Sequence, residues 1–152
     1  MADIDKKLSI ISKILAGIGL LDSLYLTYVK FANAYAICGP IGDCESVNSS
    51  QYSEVAGIPI ALFGAAAYAV ILALLFLEGR YEFMIDFSSL LVFGISLAGV
   101  LYSAYLTYIE IAVLKAICPY CVLSAIALVS IMILAIIRLV RGQSDLKVNL
   151  RD

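Results

Sequence analysis

The apolar positions of this chain gather into four long runs, at about 8–29, 58–77, 90–109 and 118–137, with polar segments between them. Each run is close to the ~20 residues that a helix needs to cross ~30 Å of hydrocarbon. The pattern predicts an all-α integral membrane protein, a bundle of four transmembrane helices forming one membrane domain over residues 1–152. A loop at 30–57 and a tail at 138–152 complete it. The run after Lys13 lacks a small-residue cleavage pattern, so it reads as a span rather than a removable signal. In the loop, Ser46–Tyr52 suggests a short half-helix over the mouth of the bundle, and the Asn48…Gln51 spacing resembles a helix N-cap.

Composition supports this picture. Of 152 residues, 63% are hydrophobic and 14% charged. A soluble chain of this size cannot hide so much apolar surface. The excess must face lipid. Net charge is −2 without a basic cluster, which argues against nucleic acid as a partner. There is no histidine, so imidazole acid–base chemistry and His metal ligands are excluded.

Charge then orients the spans. Lys6, Lys7, Lys13, Arg80, Arg138, Arg141, Lys147 and Arg151 fall on one side, and only Lys30 and Lys115 on the other. The positive-inside rule puts both termini in the cytoplasm and the 30–57 loop outside. All four cysteines, Cys38, Cys44, Cys118 and Cys121, then lie on the extracytoplasmic side, commonly an oxidising compartment.

An internal repeat links them. Gly19–Cys38 and Gly99–Cys118 align without a gap at an offset of 80, with eleven of twenty positions identical. Both copies run outward and end at a cysteine, as in a parallel repeat whose site lies where the copies meet.

Cys118-Pro119-Tyr120-Cys121 opens the fourth run. Proline suits the first helical position, and the positive end of a helix stabilises a thiolate. A two-residue spacer lets the sulfurs meet within one turn. Cys38 and Cys44 form a second pair around Gly39, Pro40 and Gly42, a turn-rich loop that can turn one sulfur outward and the other inward. These features point to a thiol–disulfide relay. Two static disulfides in a non-enzymatic membrane scaffold are the main alternative. Zinc or iron–sulfur ligation by the four cysteines would serve mainly structure, and no metal is expected. A small transporter would need interrupted helices and midplane charges, for which only Asp22 in the first span offers support. Such a residue faces the bundle interior by default. Tyr25, Tyr28, Tyr105 and Tyr108 read as an interfacial belt. Asn48-Ser49-Ser50 is a nominal glycosylation sequon.

Several motifs together resemble the vitamin K epoxide reductase family over about residues 10–138. They are the C-x5-C loop, Ser50 six residues after Cys44, Gly57-Ile58-Pro59, Phe63-Gly64, Tyr68 and the final C-P-Y-C. The resemblance implies a membrane quinone reductase that drives protein disulfide formation. It implies that Cys121 reacts with the quinone and that Cys118 pairs with it. Cys118 also links transiently to Cys44, and Cys38 exchanges with a thioredoxin-like thiol oxidoreductase. Ser50, Phe63 and Tyr68 fall where the family lines its quinone pocket. Animal members carry Asn and Tyr where this chain has Ile60 and Ala125, so the resemblance favours a respiratory quinone of ubiquinone or menaquinone type. Many bacterial members continue into a thioredoxin-like domain, whereas this sequence ends at Asp152, so a separate partner protein is expected.

Overall fold

A computed structural model describes residues 2–34, 37, 42–78 and 84–149. Cys38, Arg80 and Arg151, on which parts of the sequence reading rest, lie outside the described residues. Four long helices dominate: α1 (Ala2–Phe31), α3 (Ile60–Glu78), α4 (Met84–Ile109) and α5 (Pro119–Asn149). All four are long and apolar enough to cross a membrane. α1 packs on α3, α3 on α4, α4 on α5 and α5 back on α1, so the bundle closes on itself.

α1, α4 and α5 run past the ends of the apolar runs. Backbone hydrogen bonding continues where hydrophobicity stops, because leaving the hydrocarbon does not by itself end a helix. The segment expected as a tail from residue 138 is therefore the continuation of α5. Its first residue, Arg138, is buried inside the bundle and pairs with Glu78 of α3. Arg138 is thus a paired charge inside the bundle rather than part of a tail; a guanidinium is tolerated there because a carboxylate receives it.

The interior is built from Ala16, Tyr68, Ile71, Leu75, Val92, Leu128, Ile131 and Ala135, with Ser12, Ser89 and Ser96 also buried. Large apolar side chains such as Leu21, Phe76, Leu101 and Ile126 point outward. Small residues among the buried ones let helices approach closely, which suits a bundle packed in lipid. Gly19 shows this most clearly: a Cβ there would stand 2.2 Å from the Tyr68 ring.

The end of the bundle opposite the termini is less regular. The loop contains a five-residue helix, α2 (Cys44–Asn48), a turn at Gln51–Ser53, and a small antiparallel hairpin of β1 (Glu54–Val55) and β2 (Ile58–Pro59). Ala56 and Gly57 both have positive φ (54° and 79°), the twist that two-residue hairpins favour. The half-helix is present, but Asn48 ends it rather than opening it. Its N-cap is Asp43, whose carboxylate accepts from the Ser46 amide at 3.1 Å and the Ser46 hydroxyl at 2.6 Å. These bonds also hold the Asp43 carboxyl below its ordinary value. Lys30, at the end of α1, fastens the loop. It donates to the Asn48 carbonyl and the Ser53 hydroxyl and pairs with Glu54 at 3.0 Å.

Candidate active site

The chain leaves α4 through one π-helical turn, Glu110–Leu114, which ends at Lys115 in a left-handed conformation (φ 51°). The Glu110 carbonyl accepts from Lys115 and from Ala116. Such turns recur at functional sites because they redirect a helix end. Here the turn delivers Cys118 to the start of α5, with Pro119 as the first helical residue. The Cys118 carbonyl accepts from the Val122 amide at 3.1 Å, which continues the helix from the motif.

Cys118 is almost wholly buried and carries a free thiol, as does Cys121. Cys44, equally buried, is disulfide-bonded. The Cys118 and Cys44 sulfurs are 3.6 Å apart. Residues 74 positions apart are therefore in van der Waals contact through their reactive atoms, and exchange between them needs only a small displacement. The Cys118 thiol lies below its ordinary value. The largest cause is the hydrogen bond from the Cys121 thiol, aided by the Cys121 and Tyr120 amides and opposed by burial and by the Glu110 charge. The Cys121 thiol, aided by the first amides of the helix, thus supplies the activation that the absence of histidine demands.

Glu110 is the residue that sequence reasoning missed. Its side chain is 3% exposed. One carboxylate oxygen accepts from the Cys118 amide at 3.3 Å, and the Cys121 thiol hydrogen-bonds to the same carboxylate. Position 110 is the repeat partner of Lys30, and among the mismatched positions of the repeat it is the one where the charge reverses. The repeat itself persists in three dimensions: Thr27 donates to the Ser23 carbonyl at 2.7 Å, and Thr107 to the Ser103 carbonyl at 2.9 Å.

Below the cysteines lies a cavity of about 500 Å³. Cys118, Cys121, Ser124 and Leu128 line it from α5, Asp22 and Ser23 from α1, Phe63 and Tyr68 from α3, and Glu110 from the π turn. Ser50 and Ile60 reach it as well. Of the pocket residues expected from sequence, Ser50, Ile60, Phe63 and Tyr68 share this cavity and Ala125 does not. The helical register explains the difference: Cys121, Ser124 and Leu128 share the inward stripe of α5, and Ala125 falls beside it. The Tyr68 hydroxyl donates to the Ser124 carbonyl at 2.9 Å and lies 3.0 Å from the Ser124 hydroxyl.

The tyrosines divide. Tyr28, Tyr105 and Tyr108 face outward. Tyr25 instead stacks on Tyr120 inside the redox motif, with centroids 5.3 Å apart, and its hydroxyl accepts from the Ile37 amide. The Tyr120 hydroxyl in turn donates to the Ile37 carbonyl at 2.9 Å. Among the described residues no group of three or more His, Cys, Asp or Glu side chains is placed to hold a metal ion.

Residues 10–136 match the vitamin K epoxide reductase family. The chain belongs to that family. It is also 38% identical over 124 residues to the thiol-disulfide oxidoreductase LTO1 of Arabidopsis thaliana, an alignment covering 77% of this chain and 33% of that protein. The chain thus spans about a third of the length of the curated relative it matches. Four apolar helices and family membership together make it a multi-pass membrane protein.

Proposed function

We propose that this chain is a membrane thiol:quinone oxidoreductase, which oxidises a thioredoxin-like thiol partner and passes the electrons to a quinone of ubiquinone or menaquinone type. The observation that carries the reading is the 3.6 Å approach of Cys44 to Cys118 directly above the cavity. Its relative's description as a thiol-disulfide oxidoreductase supports the chemistry.

The partner dithiol reduces the disulfide of the outer loop through Cys38, and Cys44 is released as a thiolate. Cys44 attacks Cys118 in the Cys118–Cys121 disulfide, and Cys121 leaves. Return of Cys38 onto Cys44 then frees Cys118. The loop is oxidised again and the inner pair is a dithiol, the arrangement in which Cys44 is bonded and Cys118 and Cys121 are free. Each step exchanges one S–S bond for another, so electrons move inward without a metal.

The cavity fits the quinone head. Its volume lies in the range of small-molecule sites, and its surface is mostly apolar, with walls from Leu26, Phe63 and Leu128. The quinone supplies the final step by taking two electrons and two protons. On the protein side, Cys121 provides the sulfur at the cavity wall, Glu110 holds Cys118 and Cys121 in place, and Tyr68 fixes the inward stripe of α5 through Ser124. The charge distribution supports an extracytoplasmic site with both termini in the cytoplasm.

The test uses purified protein in nanodiscs, with a dithiol donor and a short-chain ubiquinone analogue. Cys121→Ala should abolish quinone reduction. Cys38→Ala should keep it with a small dithiol and lose it with a thioredoxin-like donor. Normal turnover by Cys121→Ala would refute the assignment. Four cysteines permanently oxidised and indifferent to quinone would instead indicate a scaffold.

A further inference from the structure

One charged group in the cavity has no role in the relay. Asp22 lies in α1, three residues from Gly19, where α1 packs against the Tyr68 ring, and is 8% exposed. Both of its carboxyl oxygens are buried without a hydrogen-bond partner, and it lines the cavity. An unpaired carboxyl among apolar side chains is costly. It is tolerated where a ligand completes it.

Several other polar groups of the cavity are already engaged. The Tyr68 hydroxyl is taken by Ser124, Thr107 by the Ser103 carbonyl, and Glu110 by Cys118 and Cys121. The titratable groups around Asp22 are Tyr68 from α3, Tyr102 from α4, Glu110 from the π turn, Tyr52 from the loop, and Cys118 and Cys121 from α5. Tyr68 and Tyr120 also lie within electrostatic reach of its charge. No Lys or Arg lines the cavity among the described residues.

We propose that Asp22 is the catalytic acid of quinone reduction, donating a proton to a quinone oxygen from the wall of the cavity. The inference rests on the quinone reading above. A carboxyl suits both ends of the reaction: protonated, it donates to a carbonyl oxygen; ionised, it accepts from the hydroxyl that results. The balance closes. The Cys118 and Cys121 thiols become one disulfide, and the two electrons and two protons they release convert quinone to quinol. One of those protons passes through Asp22.

The experiment compares wild type, Asp22→Asn, Asp22→Glu and Asp22→Leu, as full-length protein in nanodiscs with a short-chain ubiquinone analogue. Asn keeps the shape and a hydrogen-bond donor but cannot release a proton. Asp22→Asn should therefore lower kcat on the order of 10²-fold with little change in KM, and flatten the pH profile of kcat. Asp22→Leu should lose kcat and raise KM. Asp22→Glu should recover part of the rate. Disulfide exchange between Cys44 and Cys118, followed by thiol labelling without quinone, should be unchanged in all of them. Because the variants could fold poorly, a second measurement uses wild type alone: adding the quinone analogue to protein labelled with carbon-13 aspartate should shift a buried carboxyl band in the infrared difference spectrum. Wild-type kcat and pH profile in Asp22→Asn, or an undisturbed carboxyl band, would overturn the proposal. Absence of quinone reduction by wild type would instead remove the reading on which it rests.

Discussion

Gly19 of α1 and Tyr68 of α3 share one space: the tyrosine ring occupies the volume that any side chain at position 19 would need. The ring is 1% exposed, and its hydroxyl reaches across to Ser124 of α5. One contact therefore sets the distance between three helices around the cavity. Gly19→Ala should force the ring aside and cost about 1–3 kcal/mol, as overpacking does. A lower melting temperature in detergent checks it. Adding Tyr68→Ala should make the double variant less unstable than the sum of the two single losses.

The closeness of Cys44 and Cys118 makes a trapping prediction. Removing their competitors in Cys38→Ala/Cys121→Ala should leave those two sulfurs to join without a catalyst. Mild oxidation and intact mass under non-reducing conditions should show one internal disulfide, and peptide mapping should assign it to positions 44 and 118. Two free thiols after oxidation would contradict the observed geometry.

The pH dependence of Cys118 has a definite sign. Its thiolate is favoured, chiefly by the Cys121 thiol, so its alkylation should persist below the pH at which an ordinary cysteine stops reacting. Cys121→Ala removes the largest favourable contribution and should move the alkylation midpoint up. Glu110→Gln removes a nearby negative charge and should move it down. Alkylation rates read by mass across pH distinguish the two shifts by direction alone.

The Glu78–Arg138 pair tests the inner half of the bundle. Both side chains are nearly inaccessible, so losing one leaves a buried charge. Glu78→Met or Arg138→Met should cost about 3–5 kcal/mol. The double change to Met at both positions should recover most of it, since apolar replacements of buried pairs are often neutral. Thermal denaturation of the three variants measures the cycle.

Much of this arrangement can be read from sequence because lipid imposes it. Span length and hydrophobicity announce α1, α3, α4 and α5, and Cys118-Pro119-Tyr120-Cys121 announces a reactive helix start. The C-x5-C spacing likewise marks the loop of Cys44. What escapes is set by side-chain partners rather than by composition. Arg138 looks like a tail charge until Glu78 is found opposite it. Asn48 looks like a cap until Asp43 is seen to do that work from the other end. Ala125 falls off the cavity by a single helical step, which no motif spacing can resolve. Glu110 reads as an interfacial acid unless the π turn that swings it under Cys118 is known.

The two copies of the repeat carry opposite charges at one equivalent position. Lys30, in the first copy, clamps the loop of Cys44, while Glu110, at the equivalent place in the second, accepts from the Cys118 amide beside the two free thiols. Two copies of one helix have thus reversed their charge at this position. One became hardware for holding a gate, the other for seating a reagent. A charge swap, Lys30→Glu with Glu110→Lys, would ask each copy to perform its sibling's duty, and it would show how far the divergence has become irreversible.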